Sequence, residues 1–374
     1  MHADGSYTFC SAATELALKR YPARPRETLK PWCSADQLLI EAAATTEYER
    51  LVVNDEHGVL ALALSAQYSW SDSALSQIAL RDNARRNRLP EAGFIFSTAP
   101  PPPTGVVIVR VPKQLDYFEY QLARLSVSQA GGTLLLAGGM DKHLSPHTAD
   151  LIEHYIGPVE RHRGRHKARI FSATFSGQKA PIPAASHYYC KALGATLQAQ
   201  ANVFGKDRLD GGSELLLNQL RHLPPVEHLV DLACGSGVLG LAALKANLCR
   251  SLLFCDESAM ALASACDNVK NLEPTRFKQC HFHLGDGLRN WQGPMAELIL
   301  CNPPFHLQHT VDAFVGRRLL KQAAQQLSPE GHLCVVANSH LRYQDVLKRY
   351  FHKTDQLARN KRFTVWLAHR PINH

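Results

Sequence analysis

A chain of 374 residues with 45% apolar and 20% charged side chains has the composition of a globular protein. It is longer than one hydrophobic core ordinarily serves, so two domains are expected. The net charge of +8 and pI near 9.0 disfavour an acidic, self-solvating chain and point toward a polyanionic partner.

At the N-terminus, Met1 to Ser6 lacks the basic-then-apolar plan of a secretory signal. No apolar run approaches the roughly 20 residues of a membrane span. Ten cysteines stand singly at 10, 33, 190, 234, 249, 255, 266, 280, 301 and 334, without a Cys-x-x-Cys pair. That spacing offers neither a disulfide framework nor a metal cage, and a reducing cytoplasm is the expected compartment.

Taken in order, the elements repeat. Leu51 to Leu64 reads as strand, turn and helix, and lines up with Leu229 to Leu244 through a shared Gly-Val-Leu-x-Leu-Ala core. Trp70-Ser71-Asp72-Ser73-Ala74 leads a helix ending at Arg81-Asp82-Asn83, as Cys255-Asp256-Glu257-Ser258-Ala259 leads one ending at Cys266-Asp267-Asn268. The strand Val106 to Val109, running on to Lys113, takes the place of Leu298 to Phe305, and Gly131 to Gly138 that of Gly331 to Asn338. Apolar strands alternating with amphipathic helices imply parallel sheets covered on both faces, and hence a duplicated α/β domain.

The first copy reads as chemically inactive. Glu56-His57-Gly58 replaces Gly235-Ser236-Gly237, so the backbone there cannot approach a ligand closely. Arg110-Val111-Pro112-Lys113 lacks the amide oxygen that grips an amino group. Its role is then substrate binding or structural support. After Ile156-Gly157-Pro158, the run from Arg161 to Arg169 packs in Arg161, Arg163, Arg165, Lys167 and Arg169. It reads as a solvated linker or as a strip of phosphate contacts. The expected domains are 1–157, a basic linker region over 158–190, and 191–374.

In the second copy, Leu229-Val230-Asp231 ends a buried strand, Ala233-Cys234-Gly235-Ser236-Gly237 forms the turn, and a helix opens near Gly240. Main-chain N–H groups and the helix start then face the methionine carboxylate of an S-adenosylmethionine pocket. Asp256 and Glu257, one strand later, suit ribose hydroxyls, since an ionised carboxylate only accepts. Asp286-Gly287 closes a third strand, where Asp286 is either an adenine-amino acceptor or an ordinary turn residue.

Asn302-Pro303-Pro304-Phe305 follows the apolar strand Leu298 to Cys301. A planar NH2 group conjugated to a ring is a poor nucleophile. If the Asn302 side-chain oxygen and the Pro303 carbonyl each accept one N–H, the lone pair is turned toward a sulfonium methyl. Prolines stiffen the loop and remove competing donors, and Phe305 offers a stacking face for an extruded base.

These residues, with Ala201 to Gly212, Arg20-Tyr21-Pro22-Ala23 and Val53-Asn54-Asp55, resemble the bacterial ribosomal RNA guanine-N2 methyltransferases over nearly the whole chain. The large-subunit (23S) branch is the closer match and the small-subunit (16S) branch the next. Two positions depart from the pattern: Arg208 stands where a glycine is usual, and Gly211 where an apolar residue is common. The resemblance implies two tandem Rossmann-like methyltransferase domains with the first degenerate, S-adenosyl-L-methionine as donor, and guanine N2 of 23S ribosomal RNA as acceptor. It further implies that Asp231, Gly235, Gly237 and Asp256 hold the donor while Asn302, Pro303 and Phe305 hold the base. Arg342, Lys348, Arg349, Lys353, Lys361 and Arg362 are expected to meet the RNA backbone, no metal is called for, and a monomer is the default. The same chemistry on 16S RNA, or a non-catalytic RNA-binding assembly factor, are the competing readings.

Overall fold

The apolar segments assemble into two separate seven-stranded sheets with an identical plan. The computed structural model describes residues 4–24, 27–304, 306–307, 310–311, 313–341 and 343–372. It divides into two compact units, Met1–Ala184 and Ala185–His374.

In the first unit the strands are β1 (Arg50–Val53), β2 (Tyr68–Ser71), β3 (Gly93–Phe96), β4 (Val106–Arg110), β5 (Leu134–Met140), β6 (Val159–Arg161) and β7 (Ala168–Thr174). Their order across the sheet is β3-β2-β1-β4-β5-β7-β6. The second unit repeats it with β8 (Val226–Leu232), β9 (Cys249–Asp256), β10 (Cys280–Leu284), β11 (Ala296–Cys301), β12 (Leu327–Asn338), β13 (Phe351–Arg359) and β14 (Phe363–Pro371). Here the order is β10-β9-β8-β11-β12-β14-β13. Within each sheet the first five strands run parallel, the sixth is antiparallel to them, and the edge strand beyond it is antiparallel to the sixth. Strand order reverses beside the central strand, β1 or β8, and such a switch point opens a crevice at the carboxyl ends of the strands.

The parallel strands are apolar on both faces because helices cover both. In the second unit, Leu229, Leu252, Leu298 and Leu300 face one cluster, whereas Val230, Leu253, Ile299 and Cys301 face the other. Covering helices include α1 (Ser34–Ala43), α2 (Val59–Ala63), α3 (Ala74–Asn87), α4 (Leu115–Ser128) and α5 (Thr148–Tyr155) in the first unit. The second carries α6 (Gly211–Leu217), α7 (Val238–Lys245), α8 (Ala259–Leu272), α9 (Ala313–Gln326) and α10 (Tyr343–Leu347). Among the described residues no helix is long and apolar enough to cross a membrane.

Duplication reaches single hydrogen bonds. Gly58 and Gly237 precede their helices at φ 81° and 83°, and Asn54 and Ala233 share φ near 61° and 60°. The Asn83 amide donates to Lys19 O and His57 O at 2.9 Å each and accepts from Lys19 N at 2.9 Å. The Asn268 amide donates to Gln198 O at 2.8 Å and Ser236 O at 2.9 Å, and accepts from Gln198 N at 2.9 Å. Both buried amides thus pin a small N-terminal hairpin, 7–18 or 186–199, to the turn after the central strand.

Two expectations change. Residues 158–190 are not a linker along their first half: β6 and β7 complete the first sheet, because Ala168, Ile170, Phe171 and Ala173 of β7 are buried against it. Helices α3 and α8 run about one turn past Asn83 and Asn268, where Ala84 and Val269 continue the buried stripe.

Replacing Asn268 with Ala strands three backbone partners. It should lower the unfolding free energy of the second unit by about 2–3 kcal/mol, read from urea unfolding of the full chain.

Candidate active site

At the end of β8 the chain turns through Ala233, Gly235 and Gly237, all at positive φ. Gly237 admits no side chain, since a Cβ would lie 2.9 Å from Ala265 Cβ and 3.1 Å from Phe254 Cε1. Gly235 faces open space, with nothing within 4 Å of a Cβ placed there. Asp231 is fully buried. Its Oδ2 accepts from Gly240 N at 2.8 Å, and its Oδ1 has no partner. Burial, reinforced by the nearby Asp256 charge, pushes its pKa up to about 8.

Asp256 closes β9, its Oδ2 accepting from Gly235 N at 2.9 Å and its Oδ1 from Ser258 N at 3.0 Å. The glycine turn is therefore tied to the next strand by a carboxylate, a group that only accepts when ionised. Half-exposed Glu257 follows it. Cys234 is buried, and burial pushes its thiol well above its ordinary range, so it stays neutral. Asp286 is buried in the loop after β10 and is ion-paired with Arg318 of α9, with Arg289 4.0 Å away. Gly287 beside it has φ 56°, and a Cβ there would fall 2.1 Å from Gln322 Oε1.

The parallel register of β8 with β11, Leu232 opposite Cys301, brings Asn302 alongside this turn. Its side-chain NH2 donates to Asp210 Oδ2 and to Ser213 Oγ, both at 2.9 Å. Pro303 is buried and Pro304 exposed. Phe305 and Arg342 lie outside the described residues. Asp210 caps α6 by accepting from Gly212 N at 2.9 Å and Ser213 N at 3.1 Å. Sequence reading missed Asp210, Ser213 and Gly240. The Asp-Gly-Gly-Ser run is a legible helix start, but nothing in it names Asn302 as a partner.

The first unit carries the same positions with other chemistry. Asp55 accepts from both Gly58 N and Ala61 N at 2.9 Å, and burial raises its pKa to about 7. Glu56, without a positive φ, stands for Gly235, and Ser71 stands for Asp256. In the place of Asn302, Arg110 pairs with Asp36 of α1 at 3.1 Å.

Of the basic strip, Arg161 pairs with Asp150 at 3.6 Å, Arg169 with Asp141 at 3.3 Å, and Arg165 with Glu41. Arg163 and Lys167 are exposed. The strip is thus partly neutralised in place. Lys361 and Arg362 are exposed at the turn between β13 and β14. The next residue, Phe363, lies 3.3–3.4 Å from Cβ positions on Gly211 and Gly212, which sets this turn near the Asp210–Asn302 pair.

Residues 7–177 match the RLMG N-terminal domain and residues 194–367 the methyltransferase small domain. The chain is 39% identical to the ribosomal RNA large subunit methyltransferase G of Alcanivorax borkumensis, over 96% of this chain and 95% of that protein. It is 37% identical to the protein of that name from Ectopseudomonas mendocina, over 96% and 99%. The chain belongs to the ribosomal RNA large subunit methyltransferase G family. Its fold also matches the T. thermophilus 16S rRNA N2 G1207 methyltransferase, solved with AdoMet and guanosine. That likeness has a TM-score of 0.78 at 18% identity and covers 98% of each chain. The two sheets are accordingly tandem Rossmann-like methyltransferase domains, the family's catalytic fold and a degenerate copy of it.

A Cβ at Gly240 would lie 2.4 Å from Phe254 Cε1 and 3.1 Å from Asp231 Oδ2, and Phe254 is held by stacking on Phe282. Gly240→Ala should therefore destabilise the second unit by about 1–3 kcal/mol and weaken cofactor binding, measured by thermal unfolding and cofactor titration.

Proposed function

We propose that this protein transfers a methyl group from S-adenosylmethionine to the exocyclic N2 of one guanine in 23S ribosomal RNA. Methyl transfer to ribosomal RNA from this donor is the activity of its family, whose relatives at 36–39% identity bear the large-subunit name. The observation that carries the guanine-N2 reading is the Asn302 amide, fixed at the end of β11 beside the glycine turn of β8.

The second unit fits the donor. Asp231 Oδ1 is a buried acceptor without a partner, suited to a cationic group, and the space over Gly235 is open. Asp231, Gly235, Gly237 and Asp256 would hold the cofactor, with Ala233, Cys234, Glu257, Asp286 and Gly287 completing the wall. Bound S-adenosylmethionine supplies an electrophilic methyl group on sulfur. Asn302 Oδ1 and the Pro303 carbonyl accept the two N–H bonds of the guanine amine, draw its nitrogen out of conjugation and aim its lone pair. No side chain need take a proton before the methyl moves. Phe305 would stack on the base, and Arg163, Lys167, Lys361 and Arg362 would meet phosphates. The ten free cysteines support action in a reducing cytoplasm, and each unit covers its own sheet, which supports a monomer.

Labelled S-adenosylmethionine should label protein-free 23S RNA as N2-methylguanosine, and neither small subunits nor DNA. Label in the small subunit would overturn the substrate, and no label anywhere would favour a non-catalytic RNA-binding factor. Asn302→Ala should reduce turnover at least about 100-fold while cofactor affinity stays close to wild type; undiminished turnover would sink the clamp.

The raised pKa of Asp231 adds a pH signature. The free protein holds this carboxyl protonated up to about pH 8, whereas a cationic ligand favours the charged form. Binding then releases a proton, so cofactor affinity should rise toward about tenfold per unit between about pH 5.5 and 7.5. Asp231→Asn should flatten that slope in a calorimetric titration.

A further inference from the structure

Asn302 acts as an amine clamp only if its amide points the correct way. The two ends of a carboxamide are nearly the same size, so rotation by about 180° meets little steric resistance. Flipped, it would offer N–H donors to a substrate amine that also needs acceptors. Something else has to set the orientation.

We propose that Asp210 and Ser213 are positioning residues that fix the Asn302 amide with its oxygen, not its NH2, toward the acceptor amine. The proposal deepens the clamp reading and rests on it. An ionised carboxylate has acceptor sites only, so the atom of Asn302 that meets Asp210 Oδ2 at 2.9 Å is nitrogen. Ser213 Oγ takes the second hydrogen at 2.9 Å. Both N–H bonds are thereby occupied, and Oδ1 is left facing away from the carboxylate.

One oxygen does three tasks. Asp210 Oδ2 accepts from Gly212 N, Ser213 N and Asn302 Nδ2, so the start of α6 and the amide orientation are set together. Gly212 leaves the room this needs. A Cβ there would lie 2.9 Å from Asp210 Oδ2 and 3.4 Å from Asn302 Oδ1.

The degenerate unit supplies an independent observation. Asp36, in the first turn of α1, accepts from the backbone N of the capping residue Cys33 at 2.7 Å, and faces Arg110 at the end of β4 at 3.1 Å. The fold therefore twice sets an acid at the start of a helix opposite the residue at the carboxyl end of the fourth strand. Only in the second unit is that residue an amide, whose orientation carries information.

The test exchanges the two groups in the full-length protein. Asn302→Asp alone sets two carboxylates face to face and should lower the single-turnover rate on 23S RNA at least about 100-fold. Asp210→Asn restores a donor opposite an acceptor, although its NH2 gives up the two backbone bonds that Oδ2 accepts, so the D210N/N302D double variant should recover about tenfold or more over N302D while melting at a lower temperature. Cofactor affinity should stay within about threefold throughout, because the effect falls on kcat rather than on donor binding. Ser213→Ala, which keeps the Asp210 cap, should also lower kcat without shifting the melting temperature. A double variant no faster than N302D, together with wild-type kcat in S213A, would overturn the positioning role and reduce Asp210 to a helix cap. Full activity in Asn302→Ala would instead remove the clamp itself, so the two failures are distinguishable.

Discussion

Both units hang on a buried carboxylate that grips the first turn of the helix after the central strand. In the second unit Asp231 holds Gly240 N from the end of β8. In the first, no acid occupies the strand end, and Asp55 reaches the equivalent helix start from within the turn, binding Gly58 N and Ala61 N. Burying such a group raises its pKa, to about 8 and about 7 respectively, because the charged form is poorly solvated there. The difference lies in what remains. Asp55 has both oxygens engaged, whereas Asp231 keeps Oδ1 without a partner. A buried acceptor lacking a partner destabilises the unligated fold, and a ligand that satisfies it binds with that deficit removed.

From this anchor the site is assembled at the carboxyl ends of three neighbouring strands. Asp256 ties the end of β9 to Gly235, and the register of β8 with β11 delivers Asn302 beside the turn. In the proposed reaction none of these groups acts as an acid, a base or a nucleophile. The chemistry proposed for them is geometric: acceptors would stand at fixed positions around one nitrogen, next to an electrophilic carbon. Rigidity is accordingly the requirement, and the glycine contacts show it. Cβ atoms at Gly237 and Gly240 would collide with Ala265 and Phe254, so these two turns of backbone are packed to the limit.

What the sequence displayed and what it concealed divide by distance along the chain. The glycine turn, the acid ending β9 and the Asn-Pro-Pro loop are each confined to a few neighbouring residues, and the structure puts them where local backbone rules place them. The shared Gly-Val-Leu-x-Leu-Ala core likewise marks two turns that agree within a few degrees at Gly58 and Gly237. Contacts between remote residues were not legible. Asp210 and Asn302 lie 92 positions apart, and Arg165 and Glu41 lie 124 apart. A run of cations therefore read as a free basic strip, although acids from distant helices meet three of its members. The same blindness hid β6 and β7, since the edge strand β6 and the charged turn that joins it to β7 carry the charge of a linker.

The degenerate copy is more than an active site with one residue lost. Restoring Asn at position 110 would leave Asp36 paired with a neutral amide, yet Ser71 would still lack the carboxylate that Asp256 supplies, and Glu56 would still block the backbone approach that Gly235 allows. Asp55 would also keep both oxygens saturated, so no buried acceptor would call for a cation. Each change has its own partner: Arg110 pairs with Asp36, and Asp55 satisfies two N–H groups where Asp231 satisfies one. The first unit has closed the needs that make the second a binding site, and its sheet keeps the family fold without its chemistry.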